Sequence, residues 1–402
     1  MKYDVVIVGA GPAGSTAAKF LSEKGVKTLL VDKSKFPRDK PCGGGLTARV
    51  LRQFKYIQES DLIDSYSYGG AFYSSSRKYK VSVQKSEIVA AMVLRKKFDY
   101  GLVKLAIDSG ATFLDGKNIA DIKISDDKAK ILIDNGTNID SQIVVGADGV
   151  WSTVAKKAGL GNHRDSFGIS VFEEYPIKSE TIDQYFTKKR IVYGHIKILG
   201  LAGYGWVFPK KNHVNIGVGE YASLAKKPKG MMNIKEVYKK YIQLLKEEKI
   251  IPPNLKIKDI KGAALPHHPL DKTYADRVIL CGDAAGLINS LTGEGIDFAM
   301  YSGCTAAGVV TEALELDKCN ADFLSKYERI WKSDFEKDLK LFSRSSRQWG
   351  KGSENIIKLV SEDKKTADIF LEIAMGNLSI HKYKWRLLRR LIYLKLKDFF
   401  NR

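Results

Sequence analysis

Tyr3-Asp4-Val5-Val6-Ile7-Val8-Gly9-Ala10-Gly11-Pro12-Ala13-Gly14, followed after a helix-forming segment by Thr28-Leu29-Leu30-Val31-Asp32, is the stretch that decides the fold. Residues 3–8 are a short β-branched run of the kind buried on both faces of a parallel sheet. A GxGxxG turn follows at once, a helix is predicted to continue from Ser15 to Glu23, and a second strand ends in Asp32, eighteen residues past Gly14. Strand, glycine turn, helix, strand and acid in that order make a dinucleotide-binding unit, with the acid expected about 20 residues past the glycines. Gly9 permits the tight turn, Gly11 lets the backbone approach a pyrophosphate, and Gly14 lets the helix lie on the sheet. The helix N-terminus adds free N–H groups and partial positive charge. Asp32 can accept from ribose hydroxyls and repels a 2′-phosphate, so FAD or NAD is expected rather than NADP. The competing reading is a glycine turn in an ordinary α/β unit.

Two further stretches repeat the pattern of strand, Gly-Asp and helix. Residues 143–155 run Ile143-Val144-Val145 into Gly146-Ala147-Asp148-Gly149, and residues 278–300 run Val278-Ile279-Leu280-Cys281 into Gly282-Asp283-Ala284-Ala285-Gly286 and then Thr292-Gly293-Glu294-Gly295-Ile296. A helix N-terminus near Gly293 to Gly295 suits a second electronegative group, such as the pyrimidine oxygen edge of a flavin.

With these stretches in view the sequence resembles the FAD-dependent aromatic hydroxylase superfamily, and within it the geranylgeranyl reductase family. The resemblance is carried by GAGPAG at 9–14, Asp32, PCGGGL at 41–46, LRKKFD at 94–99, GADG at 146–149, and GDAAG with GEGI within 282–296, and it spans roughly the first 310 residues. It implies that Gly9, Gly11, Ala13 and Gly14 hold the FAD pyrophosphate, Asp32 the adenosine ribose, and Arg95 the phosphate or ribityl region. It implies further that Asp148, Gly282 and Asp283 line the cofactor, Asp283 at a ribityl hydroxyl, that Gly295 and Ile296 meet the isoalloxazine, and that Ala120 lends backbone to the adenine. Cys42, Gly43 and Gly45 would lie on the flavin's substrate side.

Residues 66–84 and 191–219 alternate aromatic and polar positions, which suits an antiparallel sheet with one covered face. In the resembled family such a sheet roofs the flavin and forms the substrate cavity. Tyr204-Gly205-Trp206-Val207-Phe208-Pro209-Lys210 matches that family's YxWxFPK pattern. Large aromatics make a dry slot for an isoprenoid chain. Tyr204 and Trp206 are therefore expected to position substrate, with Phe208, Pro209 and His267 as further contacts; an aromatic strand merely packing a core is the plainer alternative. Cys42 is a candidate proton donor or gate for the flavin, although free cysteines are commonly inert small hydrophobes. Two departures from the family pattern stand out: Ser290 where a proline is usual, and PCGGGL in place of an acidic RCGEGL form, which leaves the identity of the lipid open.

The chain has 402 residues with 66 basic and 46 acidic side chains, a formal charge of +20 that implies affinity for something anionic. Four scattered cysteines without a CxxC argue against a disulfide framework and a metal site and suit a reducing cytoplasm. No run of 18 uncharged apolar residues predicts a membrane span. Residues 381–402 carry eight Lys or Arg against one Asp, and Trp385, Leu388, Ile392, Leu396 and Phe399 fall on one side of a helical projection. That pattern suits the surface of an anionic membrane, or a helix packed on the body with a solvated basic face. No nucleic-acid-binding motif accompanies the charge, so membrane outranks nucleic acid.

The expected architecture is α/β: a Rossmann-like FAD-binding domain from 1–65, 85–160 and 270–310, an antiparallel substrate domain from 66–84 and 161–269, and a C-terminal helical region, 311–402. The expected activity is hydrogenation of carbon-carbon double bonds in geranylgeranyl chains of membrane lipid precursors by a cytoplasmic protein peripheral to the inner membrane face. Alternatives are a flavin monooxygenase or halogenase, or reduction of a prenyl-quinone tail. No second glycine-rich dinucleotide unit is visible, so the electron donor is external: ferredoxin, reduced deazaflavin or NAD(P)H.

Overall fold

In the computed structural model, which describes residues 1–163, 166–223, 232–346 and 352–400, the chain divides into two units. The first comprises 1–40, 95–167 and 265–340, and the second 41–94, 168–264 and 341–402.

The first unit is built on a sheet whose central strands, Lys2–Val8, Thr28–Asp32, Asn138–Gly146, Thr112–Asp115 and Val278–Leu280, pair in parallel. Val5, Val6 and Ile7 have no exposed surface, as a strand covered on both faces requires. The register aligns Val8 with Val31 and Gly146, Gly146 with Leu280, and Asp32 with Asp115. The glycine turn, Asp32, GADG and GDAAG therefore leave the carboxyl ends of neighbouring strands, the edge at which open parallel sheets bind ligands. Gly9 has φ of +104°, and a Cβ at Gly14 would sit 1.8 Å from the Gly9 carbonyl oxygen, so neither position accepts a side chain. The helix Pro12–Glu23 packs on the helix Ile296–Glu315, where a Cβ at Gly303 would lie 2.2 Å from the Ala13 carbonyl oxygen.

The second unit holds a seven-stranded sheet in the order Lys261–Pro266, Ser166–Pro176, His213–Ser223, Gly203–Pro209, Val192–Ile196, Gly69–Tyr73 and Lys80–Gln84. Within it Val192–Ile196 pairs with Gly69–Tyr73 in parallel. The helix Ile234–Glu247 sets Tyr238, Tyr241 and Leu245 into a core with Val207, Ile216 and Val218. A small sheet joins Gly45–Thr47 and Ser65–Ser67 to the two sides of Ala90–Met92.

These units depart from the boundaries drawn from sequence. Residues 41–65 and 85–94 belong to the second unit, because pairing with Ala90–Met92 outweighs their neighbourhood in sequence to Asp32 and Arg95. The helical region from 311 is not a separate body. Tyr327 donates to the Leu280 carbonyl at 2.7 Å and Trp331 to the Thr273 hydroxyl at 3.1 Å, which ties the start of the helix Ala321–Ser346 to the first unit. Ile357, Val360 and Leu371, from the helices Ser353–Ser361 and Lys364–Ala374, instead pack on Val81 and Val83 of the second unit. No helix among the described residues is long and apolar enough to cross a membrane.

Candidate functional site

The first unit presents an anion cradle. No side chain caps the N-terminus of Pro12–Glu23, whose N-cap is Gly11. Space beside Gly11 is open: the nearest atom to a Cβ built there is a guanidinium nitrogen of Arg38, 3.9 Å away. Asp32 is buried, and its two oxygens accept the amides of Ala10 and Ser34 at 2.8 Å each. Those bonds fix the carboxylate beside the glycine turn, and each oxygen keeps a second lone pair for a ribose hydroxyl.

Arg95 forks onto Asp99 through Nε at 2.7 Å and Nη2 at 2.8 Å, and Arg38 reaches the same fully buried carboxylate at 2.9 Å. One buried anion thus holds two guanidinium groups in place. Burial pushes the Asp283 carboxyl up, and the nearby Lys40 and Arg95 cations draw it back. Arg38 and Lys40 were not assigned from sequence; the signal available was the run Lys33, Lys35, Arg38, Lys40 directly after the acid that ends the second strand. His163 was also missed. It is buried against Gly286 of the GDAAG turn, and burial lowers its pKa to about 4.

The Asp148 carboxylate accepts from the Ser152 hydroxyl at 2.5 Å and from the amides of Thr153 and Val154 at 2.6 and 3.2 Å. It thereby satisfies the first amides of the helix Thr153–Lys157, whose N-cap is Ser152. Ala120 is exposed in the strand Ile119–Ile124, close in sequence to Lys117, whose amide donates to the Asp32 carbonyl at 3.0 Å. Gly282 begins the turn bearing Asp283. Gly295 caps the helix that starts at Ile296, and the Glu294 carboxylate takes the amide of Asp297 at 3.0 Å. His267 is buried in the first unit, its ring 5.9 Å from that of His268, and so shares no unit with Tyr204 and Trp206.

The second unit gathers Cys42, Gly43, Gly45, Tyr204, Trp206, Phe208 and Pro209. Tyr204, Trp206 and Phe208 alternate along one strand, so their rings share a face, with centroids 5.7 and 6.3 Å apart. Trp206 pairs with Gly217 across the sheet, and a Cβ at Gly217 would lie 2.1 Å from the indole, so the missing side chain is the room the ring occupies. The glycines of the 41–46 loop lie close to the Phe208 ring: Cβ atoms at Gly43 and Gly45 would lie 3.0 and 3.5 Å from it. Half-buried Cys42 accepts the Gly44 amide on Sγ at 3.3 Å. Burial pushes the Tyr204 phenol well up, and Cys42 adds to the shift, so Tyr204 keeps its proton at physiological pH. Pro209 ends its strand, and its carbonyl accepts from the Ser65 hydroxyl at 3.4 Å.

On the same face, where Asn215 pairs with Phe208 across the sheet, lies a polar group that sequence reasoning did not assign. Lys210 Nζ meets Glu174 Oε2 at 2.8 Å, Asn215 Nδ2 donates to the same oxygen at 3.0 Å, and the Trp206 indole N–H donates to Asn215 Oδ1 at 2.8 Å.

Residues 2–329 match the FAD binding domain family. The digeranylgeranylglycerophospholipid reductase of Methanocaldococcus jannaschii is 31% identical over 334 residues, 82% of each chain. The menaquinone reductase of Mycolicibacterium smegmatis is 30% identical over 334 residues, 80% of this chain and 79% of its own. Among solved structures, a geranylgeranyl bacteriochlorophyll reductase-like protein of Thermoplasma acidophilum superposes with a TM-score of 0.79 over 95% of this chain and 98% of its own, at 23% identity, a likeness of fold.

Proposed function

The chain belongs to the FAD binding domain family, and from that premise we propose that it is an FAD-dependent reductase of carbon-carbon double bonds in geranylgeranyl-type chains of membrane lipid precursors. The observation that carries this reading is the aromatic face Tyr204, Trp206 and Phe208 beside the Cys42 loop. It is an aromatic surface beside which Trp206, Asn215 and the Cys42 backbone are bonded to one another.

When bound in its reduced form, FAD would supply the hydride for one alkene carbon, and a proton for the other carbon must come from the chain's own residues or water. The first unit's cradle, with the N-terminus of Pro12–Glu23, Asp32, Arg38 and Arg95, fits the anionic and hydroxyl-rich part of that cofactor. Because an isolated alkene develops no oxyanion for hydrogen-bond donors to stabilise, rate must come from alignment of the chain and from a ready proton. Tyr204 and Trp206 supply alignment, and the Cys42 thiol is assigned the proton.

A second reading, reduction of a prenyl-quinone tail, is favoured by the similarity to a menaquinone reductase. Anaerobic dithionite reduction of the holoprotein with a geranylgeranyl phospholipid, and in parallel with a menaquinone, separates the two. The expected product is the phospholipid heavier by two hydrogens per reduced bond. An unaltered phospholipid beside a reduced quinone tail selects the second reading, and no reduction of either, together with oxygen-dependent NAD(P)H consumption, selects a monooxygenase.

The reading includes contact with an anionic membrane. In the helix Ile380–Phe400, Leu391 and Leu394 face the body, and Arg390 binds Asp363 at 2.6 Å. Trp385, Leu388, Ile392 and Leu396 are exposed, with Trp385 at 62%, on a helix rich in Lys and Arg. The Phe399 side chain, expected on the same stripe, lies outside the described residues.

A further inference from the structure

Asn215 has no exposed surface, and its amide is held at every corner. The indole N–H of Trp206 is a donor only, so the atom that meets it at 2.8 Å must be the amide oxygen, and this fixes which way the amide faces. Its two N–H groups are then directed to two acceptors, Glu174 Oε2 at 3.0 Å and the backbone carbonyl of Cys42 at 3.3 Å. One side chain therefore joins the two residues that the proposed function assigns to the proton and to the substrate.

The pair behind it is unusual in kind. Lys210 is 1% exposed, and its ammonium meets Glu174 at 2.8 Å. Glu174 is 28% exposed, so burial falls mainly on the lysine, whose desolvation offsets part of the attraction and makes the pair weak evidence for stability. The pair does two positional things. Its carboxylate accepts one Asn215 N–H, and its ammonium stands 3.1 Å from where a Cβ of Gly44 would be, so it limits the loop from below. The loop is held further by the Val93 amide on the Gly44 carbonyl at 2.8 Å and by the Gly44 amide on Cys42 Sγ at 3.3 Å.

We propose that Asn215, oriented by the Glu174–Lys210 pair, is a positioning residue that holds the Cys42 backbone in register with the Trp206 indole and so sets where the Cys42 thiol stands. The inference rests on the proposed function for the meaning of that register, but the register itself is measurable without turnover.

The test uses the FAD-loaded protein and the variants N215A, N215D and E174Q. Iodoacetamide labelling is followed at Cys42 by peptide mass spectrometry, with partly buried Cys304 of the first unit as the internal control. In N215A the Cys42 labelling rate should rise by about fivefold or more as the loop gains freedom, while Cys304 labels as in the parent. The turnover number for the alkene should fall by about tenfold or more at little-changed KM and FAD content, as expected when binding survives and alignment does not.

N215D supplies a pH signature. Protonated, the acid can accept from Trp206 and donate one hydrogen bond, so labelling and turnover should return toward parental values at low pH. Ionised, it faces the Glu174 carboxylate and the Cys42 carbonyl, with only Lys210 opposing, and the recovery should vanish as pH rises. E174Q keeps an acceptor for Asn215 but leaves Lys210 uncompensated, and should show the same effects as N215A in smaller measure. Cys42 labelling in N215A within twofold of the parent, or matching pH profiles for N215D and N215A, overturns the proposal. If N215A does not fold, the N215D profile and E174Q labelling decide it on the same terms. A parent protein that reduces no isoprenoid removes the proposed function and leaves the labelling result to decide the register. Reduction by the parent with unchanged labelling in the variants removes the positioning role alone.

Discussion

Replacing Gly11 by Ala separates cofactor binding from folding in a way the structure makes quantitative. Gly11 has φ of −77° and ψ of −174°, backbone that any residue adopts, and its would-be Cβ meets nothing closer than Arg38 at 3.9 Å. The free protein should therefore lose nothing, and should gain about 0.4–1 kcal/mol from the stiffer unfolded chain. In the loaded protein the methyl stands where the pyrophosphate must approach the helix N-terminus. Losing one charge-assisted hydrogen bond there costs about 1.5–3 kcal/mol, a weakening of about 10- to 150-fold in Kd. Titration of apoprotein with FAD, read by quenching of flavin fluorescence, gives the Kd, and differential scanning calorimetry of the apoprotein gives its stability. Gly14→Ala is the contrast: its Cβ would fall 1.8 Å from the Gly9 carbonyl oxygen, so the apoprotein itself should be destabilised. An FAD Kd for Gly11→Ala within twofold of the parent would refute the path assigned to the pyrophosphate.

Cys42→Ala in prereduced enzyme should slow alkene hydrogenation by about 100-fold, the scale of general acid catalysis; single-turnover rates equal to the parent's would remove Cys42 as proton donor. Deletion of 381–402 should weaken binding to anionic liposomes at low salt, with sedimentation as the assay, and unchanged binding would remove the tail as the contact. His163, with a pKa of about 4, is neutral when folded and charges more readily when unfolded. The unfolded state then binds the extra proton, so stability should fall as pH drops from about 6.5 to 4, by up to about 3 kcal/mol. Denaturant titrations of the parent and of His163→Gln across that window should show a steeper loss in the parent, and parallel losses would count against the buried neutral histidine.

The cofactor half was legible because its determinants are local. Gly9, Gly11, Gly14 and Asp32 lie within 24 consecutive residues, and their spacing follows from one turn of chain between two parallel strands. The aromatic face was legible for the same reason, since Tyr204, Trp206 and Phe208 alternate in one strand. What sequence could not supply was long-range pairing. Residues 41–65 leave the first unit because Gly45–Thr47 and Ser65–Ser67 pair with Ala90–Met92. The late helices divide at about residue 340 because Tyr327 finds Leu280 whereas Ile357 and Leu371 find Val81 and Val83. The bonds that the Asp148 carboxylate accepts from Ser152, Thr153 and Val154 were likewise not legible in the GADG motif alone.

The two halves answer opposite ligand chemistry, and their polar groups differ accordingly. The first unit's ligand carries phosphates and hydroxyls, so Asp99 gathers Arg38 and Arg95 and the glycine turn leaves a helix N-terminus uncapped by any side chain. The second unit's proposed ligand offers no charge and no hydrogen bond. A polar side chain directed at such a chain would lose its water without compensation, and here the polar groups bond one another: Lys210 to Glu174, Asn215 to Glu174, Trp206 to Asn215. Their bonds hold the frame of the apolar surface and not the ligand. Substitution in the second unit should therefore act through alignment, lowering the turnover number at little-changed KM, whereas substitution at Arg38 should raise the Kd for FAD. A large rise in KM at constant turnover in Asn215→Ala would contradict this division, because it would place the amide in direct contact with substrate.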